Sequence, residues 1–281
     1  MSGLCGGNDW IYVSWMKAKA GQDDALEEFY RGYCYESGWA GEINAVEAFN
    51  WYRKAADRGM ADAQWRLGAC YEAGLGVEAR PTEAVKWYQK AAEQGHAAAQ
   101  WRLGICFESG VGVEKNDPEA VEWYRKAVEQ GHSDAQWRLG LCYQIGLGLT
   151  KEDRKAVDWF QKAAEQGHRE AEWRLAVCHR FGQGVEERDP NALKWYLKAA
   201  EQGGAEFQTA LGVCYANGRG VSKDYCEAYA WLNLAARSDN EAAKIRDALE
   251  RRMSPQQVAD AQKRTKELES LLASKPISGT V

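Results

Sequence analysis

Residues 63–68 read AQWRLG, and the same six letters return at 99–104 and at 135–140, with AEWRLA at 171–176 as a divergent copy. Each copy begins 36 residues after the one before it. Sliding the chain on itself by that interval brings other residues into columns: Trp51, Trp87, Trp123, Trp159, Trp195 and Trp231; Leu67, Leu103, Leu139, Leu175 and Leu211; Cys34, Cys70, Cys106, Cys142, Cys178 and Cys214. Trp15 falls on the tryptophan column one step earlier. A period of this size marks stacked supersecondary units, each too small to close a core alone, so stability has to come from burying neighbours against one another.

Each unit reads as two helices. In NAVEAFNWYRKAAD (44–57), a rotation of about 100° per residue gathers Ala48, Phe49, Trp51, Tyr52, Ala55 and Ala56 on one arc and leaves Glu47, Asn50, Arg53, Lys54 and Asp57 on the other. Gly59 and its copies Gly95, Gly131, Gly167 and Gly203 then stop the helix, since glycine accepts the left-handed closing conformation. A second helix over 61–73 puts Ala63, Leu67 and Cys70 on one face and ends at Gly74. Inside it stand Gly68, Gly104, Gly140 and Gly212, where glycine costs about 1 kcal/mol relative to alanine. A cost repeated in four units implies close approach of a packing partner. GLGV, GVGV, GQGV and GRGV turn the chain into the next unit, where Asp117-Pro118 and Asp189-Pro190 read as an N-cap followed by proline in the first turn.

The string W-Y-x-K-A-A-E-Q-G-x-x-x-A-Q-W-x-L-G-x-x-Y-x-x-G-x-G-V, as at 87–113 with Phe107 for the tyrosine, resembles the Sel-one-like repeat, a relative of the tetratricopeptide repeat. The likeness covers about residues 44–250. A tetratricopeptide reading fits less well, because its period is 34 residues, whereas this chain repeats at 36. The resemblance implies an all-α fold, a right-handed superhelical αα-solenoid whose first helices line a concave surface. It also implies a bacterial scaffold or adaptor. Within that plan residues 1–43 are a divergent first repeat or cap, with Arg31 where leucine is due; 44–252 are the solenoid; 253–274 are a capping helix; and 275–281 are a loose tail. In the last unit Asp247 and Glu250 take the Leu and Cys places, exposing polar groups where stacking stops. Ser254, Pro255 and Gln257 read as a capping box opening the final helix.

Composition narrows the classes. A formal net charge of −5 and no block of Lys or Arg give phosphate backbones nothing to bind, so nucleic acid is not expected. No run of about 18 apolar residues reads as a membrane span. The N-terminus lacks a basic start followed by an apolar stretch, which points to the cytoplasm, or to the periplasm or secretion if a signal peptide has been removed. One cysteine per repeat, at a stacking distance of about 8–10 Å, cannot bridge to the next, so the column reads as small buried side chains in a reducing compartment. Only Cys214 and Cys226 could meet. His96, His132 and His168 are too far apart for one metal and read as solvated turns; His179 reads as a packing variant. The G-x-G follows a helix and lacks a third glycine, so it is no dinucleotide loop. Without a nucleophile, metal or paired-carboxylate constellation, the chain reads as non-catalytic, with no cofactor and no metal.

Two rows remain as candidate binding residues. Lys54, Lys90, Lys126, Lys162 and Lys198 project from the first helices beside Asn50, Lys86, Glu122, Asp158 and Lys194, and on a concave face they would meet an acidic peptide or a carboxylate end. The plainer reading pairs Glu122 with Lys126 and Asp158 with Lys162 along the helix. The second row is Trp65-Arg66, Trp101-Arg102, Trp137-Arg138 and Trp173-Arg174 on the second helices. These rings either seal neighbouring helices with arginine laid over them or form an exposed docking strip. The leading expectation is a scaffold binding a protein or extended peptide on the concave face. The alternative is an envelope factor that stacks peptidoglycan or polysaccharide on aromatic rings. The sequence leaves the oligomeric state open.

Overall fold

The computed structural model describes residues 24–39, 41–185 and 192–274. Every element among them is a helix, and the chain divides after Lys151 into two compact units. The first unit carries α1 (Asp24–Ser37), α2 (Ala45–Asp57), α3 (Ala61–Ala73), α4 (Pro81–Glu93), α5 (Ala97–Ser109), α6 (Asp117–Glu129) and α7 (Ser133–Ile145). The second carries α8 (Asp153–Glu165), α9 (Arg169–Phe181), α10 (Ala192–Glu201), α11 (Ala205–Asn217), α12 (Tyr225–Ala235), α13 (Asn240–Glu250) and α14 (Pro255–Ser274). Within each unit helices adjacent in sequence pack as helix-turn-helix repeats, the αα-solenoid plan.

The local signals act where the spacing puts them. Asn44 caps α2, its side chain accepting the Glu47 N–H, and Gly74 ends α3 in the left-handed region at φ 71° with its N–H on the Cys70 carbonyl. At the start of α6 the cap lies one residue earlier than Asp117: Asn116 accepts the Glu119 N–H, which places Asp117 and Pro118 inside the first turn. Asp189-Pro190 lies outside the described residues, as do Trp15 and the 275–281 tail. Arg31 is exposed, so the missing leucine costs α1 no core contact; its guanidinium pairs with Glu27 at 2.5 Å.

The G-x-G turn proves to be a packing device. At Gly76, φ is +71°, and a Cβ there would stand 2.0 Å from the Ala45 carbonyl oxygen. Gly112 meets the Pro81 carbonyl and Gly184 that of Asp153 in the same way. Each turn thus runs across the first residue of its own repeat's first helix, leaving no room for a side chain. The glycine inside the second helix has a different partner. A Cβ on Gly68 would stand 2.6 Å from the Tyr88 ring, and one on Gly104 2.5 Å from the Tyr124 ring. The close approach is therefore that of a buried aromatic ring from the next first helix.

The core follows the columns. Leu67, Leu103, Leu139, Leu175 and Leu211 are fully enclosed, as are Tyr52, Tyr88, Tyr124 and Phe160. At the C-terminal end Asp247 is exposed, while Leu249 and Ala261 close a cluster with Ala228, Tyr229 and Leu232. The Ser254 N–H donates to the Gln257 side chain and the Gln257 N–H to the Ser254 hydroxyl, so the reciprocal cap opens α14.

Candidate functional site

The lysine row is built by a helical spacing of three. In α2, α4, α6 and α8 the ammonium of Lys54, Lys90, Lys126 and Lys162 lies over the ring of Trp51, Trp87, Trp123 and Trp159 at 4.0, 3.8, 3.7 and 3.9 Å. Two of the rings are anchored at a repeat joint: Trp87 packs on the core around Phe49, and Trp123 on the core around Val85. The pairing expected four residues back is replaced, because the ring lies nearer on the same face. Glu122 instead accepts from Arg125 at 2.8 Å, and Lys86 donates to Glu83 at 2.7 Å. All four stacked lysines are exposed, and none has a carboxylate within 4 Å among the described residues. Asp158 is exposed and Asn50 half-buried. In the second unit Lys194 lies over Trp195, while Lys198 is held 3.5 Å from the buried Glu172 carboxylate. The row therefore presents free charge at Lys54, Lys90, Lys126 and Lys162, but not at Lys198.

The tryptophan-arginine row behaves differently. Trp65, Trp101, Trp137 and Trp173 are all half-buried. Arg66, Arg102 and Arg138 each lie over the preceding ring at 4.7–4.9 Å. Trp65 also stacks on His96 and Trp101 on His132, both at 5.3 Å. Trp173 meets Phe207 edge-on at 4.6 Å and presses against Gly204, which stands where the three preceding repeats have His96, His132 and His168. Arg174 is half-buried. These rings already carry an imidazole, a guanidinium or a phenyl neighbour, whereas a sugar platform needs a bare face.

Three of the arginines, Arg66, Arg102 and Arg138, are also neutralised, through residues that the repeat alignment contains but sequence reasoning passed over. Glu36, Glu72 and Glu108 end three successive second helices. Each accepts the hydroxyl of the tyrosine sixteen residues on, Tyr52, Tyr88 and Tyr124, the last two at 2.6 and 2.5 Å. Each also faces the arginine thirty residues on, Arg66, Arg102 and Arg138, at 3.1, 3.7 and 3.3 Å. One carboxylate thus ties three helices at every joint of the first unit. Burial, then the carboxylate, pushes the tyrosine hydroxyls well above their ordinary range. The signal was a glutamate column beside a tyrosine column at the same 36-residue step.

A second polar ladder is buried. Gln64 and Gln100 each donate to a carbonyl of their own repeat, Ala56 and Ala92, and accept from Gln94 and Gln130 of the next first helix at 2.7 and 2.8 Å. In the second unit Glu172 accepts from Gln202 at 2.7 Å.

The histidines are not solvated turns. His96, His132 and His168 each cap the following helix, Nδ1 accepting the N–H of Ala99, Ala135 and Ala171. His179 is buried in α9. Cys214 and Cys226 are both free thiols. Burial pushes Cys70, Cys106 and Cys178 up to about 11 and Cys142 up to about 12, which suits packing rather than nucleophilic chemistry.

Comparison with known proteins places these repeats. The Sel1 repeat model matches six times in succession, at residues 28–60, 61–96, 97–132, 133–168, 169–204 and 205–240. A crystal structure of a Sel1 repeat protein from Oxalobacter formigenes is 35% identical, with a TM-score of 0.63, over 81% of this chain and 94% of that one. A protective antigen of uropathogenic Escherichia coli strains, described as displaying an SLR fold, is 26% identical over 96% of this chain and 75% of that one, with a TM-score of 0.38. No curated protein matches the sequence. Among the described residues no helix is long and apolar enough to cross a membrane.

Proposed function

We propose, starting from a chain that belongs to the Sel1 repeat family, whose members generally serve as non-enzymatic protein-protein interaction scaffolds, that its partner is a protein or extended peptide rich in acidic side chains. It is received on the first-helix face, the one that the family resemblance makes concave. The observation that carries this reading is the contrast between the two rows. Arg66, Arg102 and Arg138 are spent on glutamates at the joints. Lys54, Lys90 and Lys126 have fixed positions and unneutralised charge in a chain whose net charge is −5. A ring beneath each ammonium restricts the side chain beforehand, which lowers the ordering cost of meeting a carboxylate. The repeat spacing offers such a contact about every 8–10 Å.

The test is charge reversal at Lys54, Lys90 and Lys126 together, with a fluorescein-labelled peptide of alternating glutamate and serine as probe. Binding should weaken at least tenfold in the variant and fall steeply with salt in the parent protein. The variant should stay folded at the assay temperature, with a thermal midpoint lower by roughly 3–12 °C, since the three exposed ring contacts together contribute about 1.5–3 kcal/mol. Equal affinity in both proteins, or affinity indifferent to salt, would sink this reading.

A further inference from the structure

We propose that His96 is a pH-sensitive joint between the repeats on either side of it, closed while its imidazole is neutral and released when Nδ1 takes a proton. The side chain makes three contacts. Nδ1 accepts the Ala99 N–H at 3.1 Å and so caps α5. Nε2 faces Asp62 Oδ1 of α3 at 3.4 Å. The ring stacks on Trp65 of α3, with centroids 5.3 Å apart and planes 24° from parallel. A single imidazole therefore pins the first turn of one repeat's second helix to the second helix of the repeat before.

Protonation treats these contacts unequally. The Nε2–H to Asp62 contact and the stack both tolerate an imidazolium. The cap does not: an acceptor nitrogen becomes a donor aimed at the N–H groups of a helix N-terminus, where the dipole already disfavours positive charge. The ring must then leave the cap, and the other two contacts go with it.

The charged surroundings favour the neutral form. From α3, Asp62 faces Nε2 and draws a proton in, while Arg66 lies over the Trp65 ring that carries the imidazole. The first turn of α5 holds no acid, and Asp62 is the charged side chain whose field reaches the ring. Burial outweighs Asp62 and holds His96 below its ordinary value. Because the folded-state value is depressed, the stabilisation from this joint is present above the ordinary histidine range and is lost as pH falls through the lower, folded value. The sister caps have other neighbours: Asp134 and Glu170 lie 3.8 and 3.4 Å from Nδ1 of His132 and His168, where the residue two after His96 is Ala98.

The experiment uses the full-length protein labelled with 15N. Ring spectra at pH 7.5 should show His96 protonated on Nε2 alone, with a titration midpoint below about 6.5. Between pH 7.5 and 5 the protection of the Ala99 amide against exchange, corrected for intrinsic rate, should fall about fivefold in the parent protein, the usual worth of an N-cap. In His96→Asn it should stay level, because asparagine caps without titrating. A midpoint at or above the ordinary value, an Nδ1–H tautomer, or Ala99 protection that does not fall would each overturn the proposal. So would the same acid loss in His96→Asn. If that variant fails to fold, the ring titration and Ala99 exchange of the parent chain decide the matter alone.

Discussion

Removing one oxygen at Tyr88 tests whether the glutamate ties hold the repeats together. Tyr88 is fully enclosed, its ring lies on Gly68, and its hydroxyl donates to Glu72 at 2.6 Å. Tyr88→Phe keeps the ring and its packing and deletes only that bond. A hydrogen bond to an ionised group contributes about 1.5–3 kcal/mol. The lower end applies here, because the Glu72 side chain is 33% exposed and keeps Arg102 at 3.7 Å, so water can replace the lost donor. A loss of about 1.5 kcal/mol corresponds to a fall in melting temperature of about 3–6 °C for a cooperative block of this size. Urea unfolding followed by circular dichroism would measure it, in a cycle with Glu72→Gln and the double variant. The coupling energy should be about 1 kcal/mol, because each single change breaks the same bond. The chain itself hints at this linkage: where the tyrosine column reads Phe160, the residue sixteen earlier is Gln144. Single effects that simply add, or a Tyr88→Phe cost below about 0.3 kcal/mol, would show that the hydroxyl and carboxylate are neighbours without being partners.

Three further outcomes follow from the same geometry. Gly68→Ala should gain about 1 kcal/mol of helix propensity and lose about 1–3 kcal/mol to the Tyr88 ring, for a net loss of roughly 1 kcal/mol by urea midpoint; a stabilised variant would contradict the packing. Because Tyr52, Tyr88 and Tyr124 resist ionisation when folded, stability should be level below about pH 10 and decline above it, where only the unfolded chain can release those protons. Urea midpoints taken from pH 8 upward would show the decline, and Tyr88→Phe should reduce its slope. At pH 8 a thiol reagent, followed by peptide mapping, should leave Cys70, Cys106, Cys142 and Cys178 unmodified until the protein unfolds, since a thiol at about 11 or 12 is thiolate in roughly one molecule per thousand or fewer. Rapid modification of any of those four in the native protein would refute their enclosure.

The fold is legible in the repeat wherever one unit's own backbone sets the outcome. The stops at Gly59 and Gly74, the cap at Asn44 and the apolar arc of α2 all depend on residues within a turn or two of each other. It is not legible where a side chain has a choice of partners. Lys126 had both Glu122 four residues back and Trp123 three back, and it lies on the ring. His96 looked like part of a wet turn because its real partners, Trp65 and Asp62, belong to the preceding repeat. Asp117 lost the cap to Asn116 by a single position, a shift that the rules for helix ends do not resolve when both residues can cap.

The 36-residue period and its glycines determined, without coordinates, that this chain forms paired helices whose apolar arcs must cover one another, because helical periodicity and left-handed turns are properties of short segments. Which charges remain free was settled only by packing. Glu36, Glu72 and Glu108 take the arginines of the next repeat, thirty residues away, and leave the lysines on their tryptophans unneutralised. Electrostatic partnership depends on distance in space, and a repeated sequence offers every charge several equivalent partners until the helices are stacked.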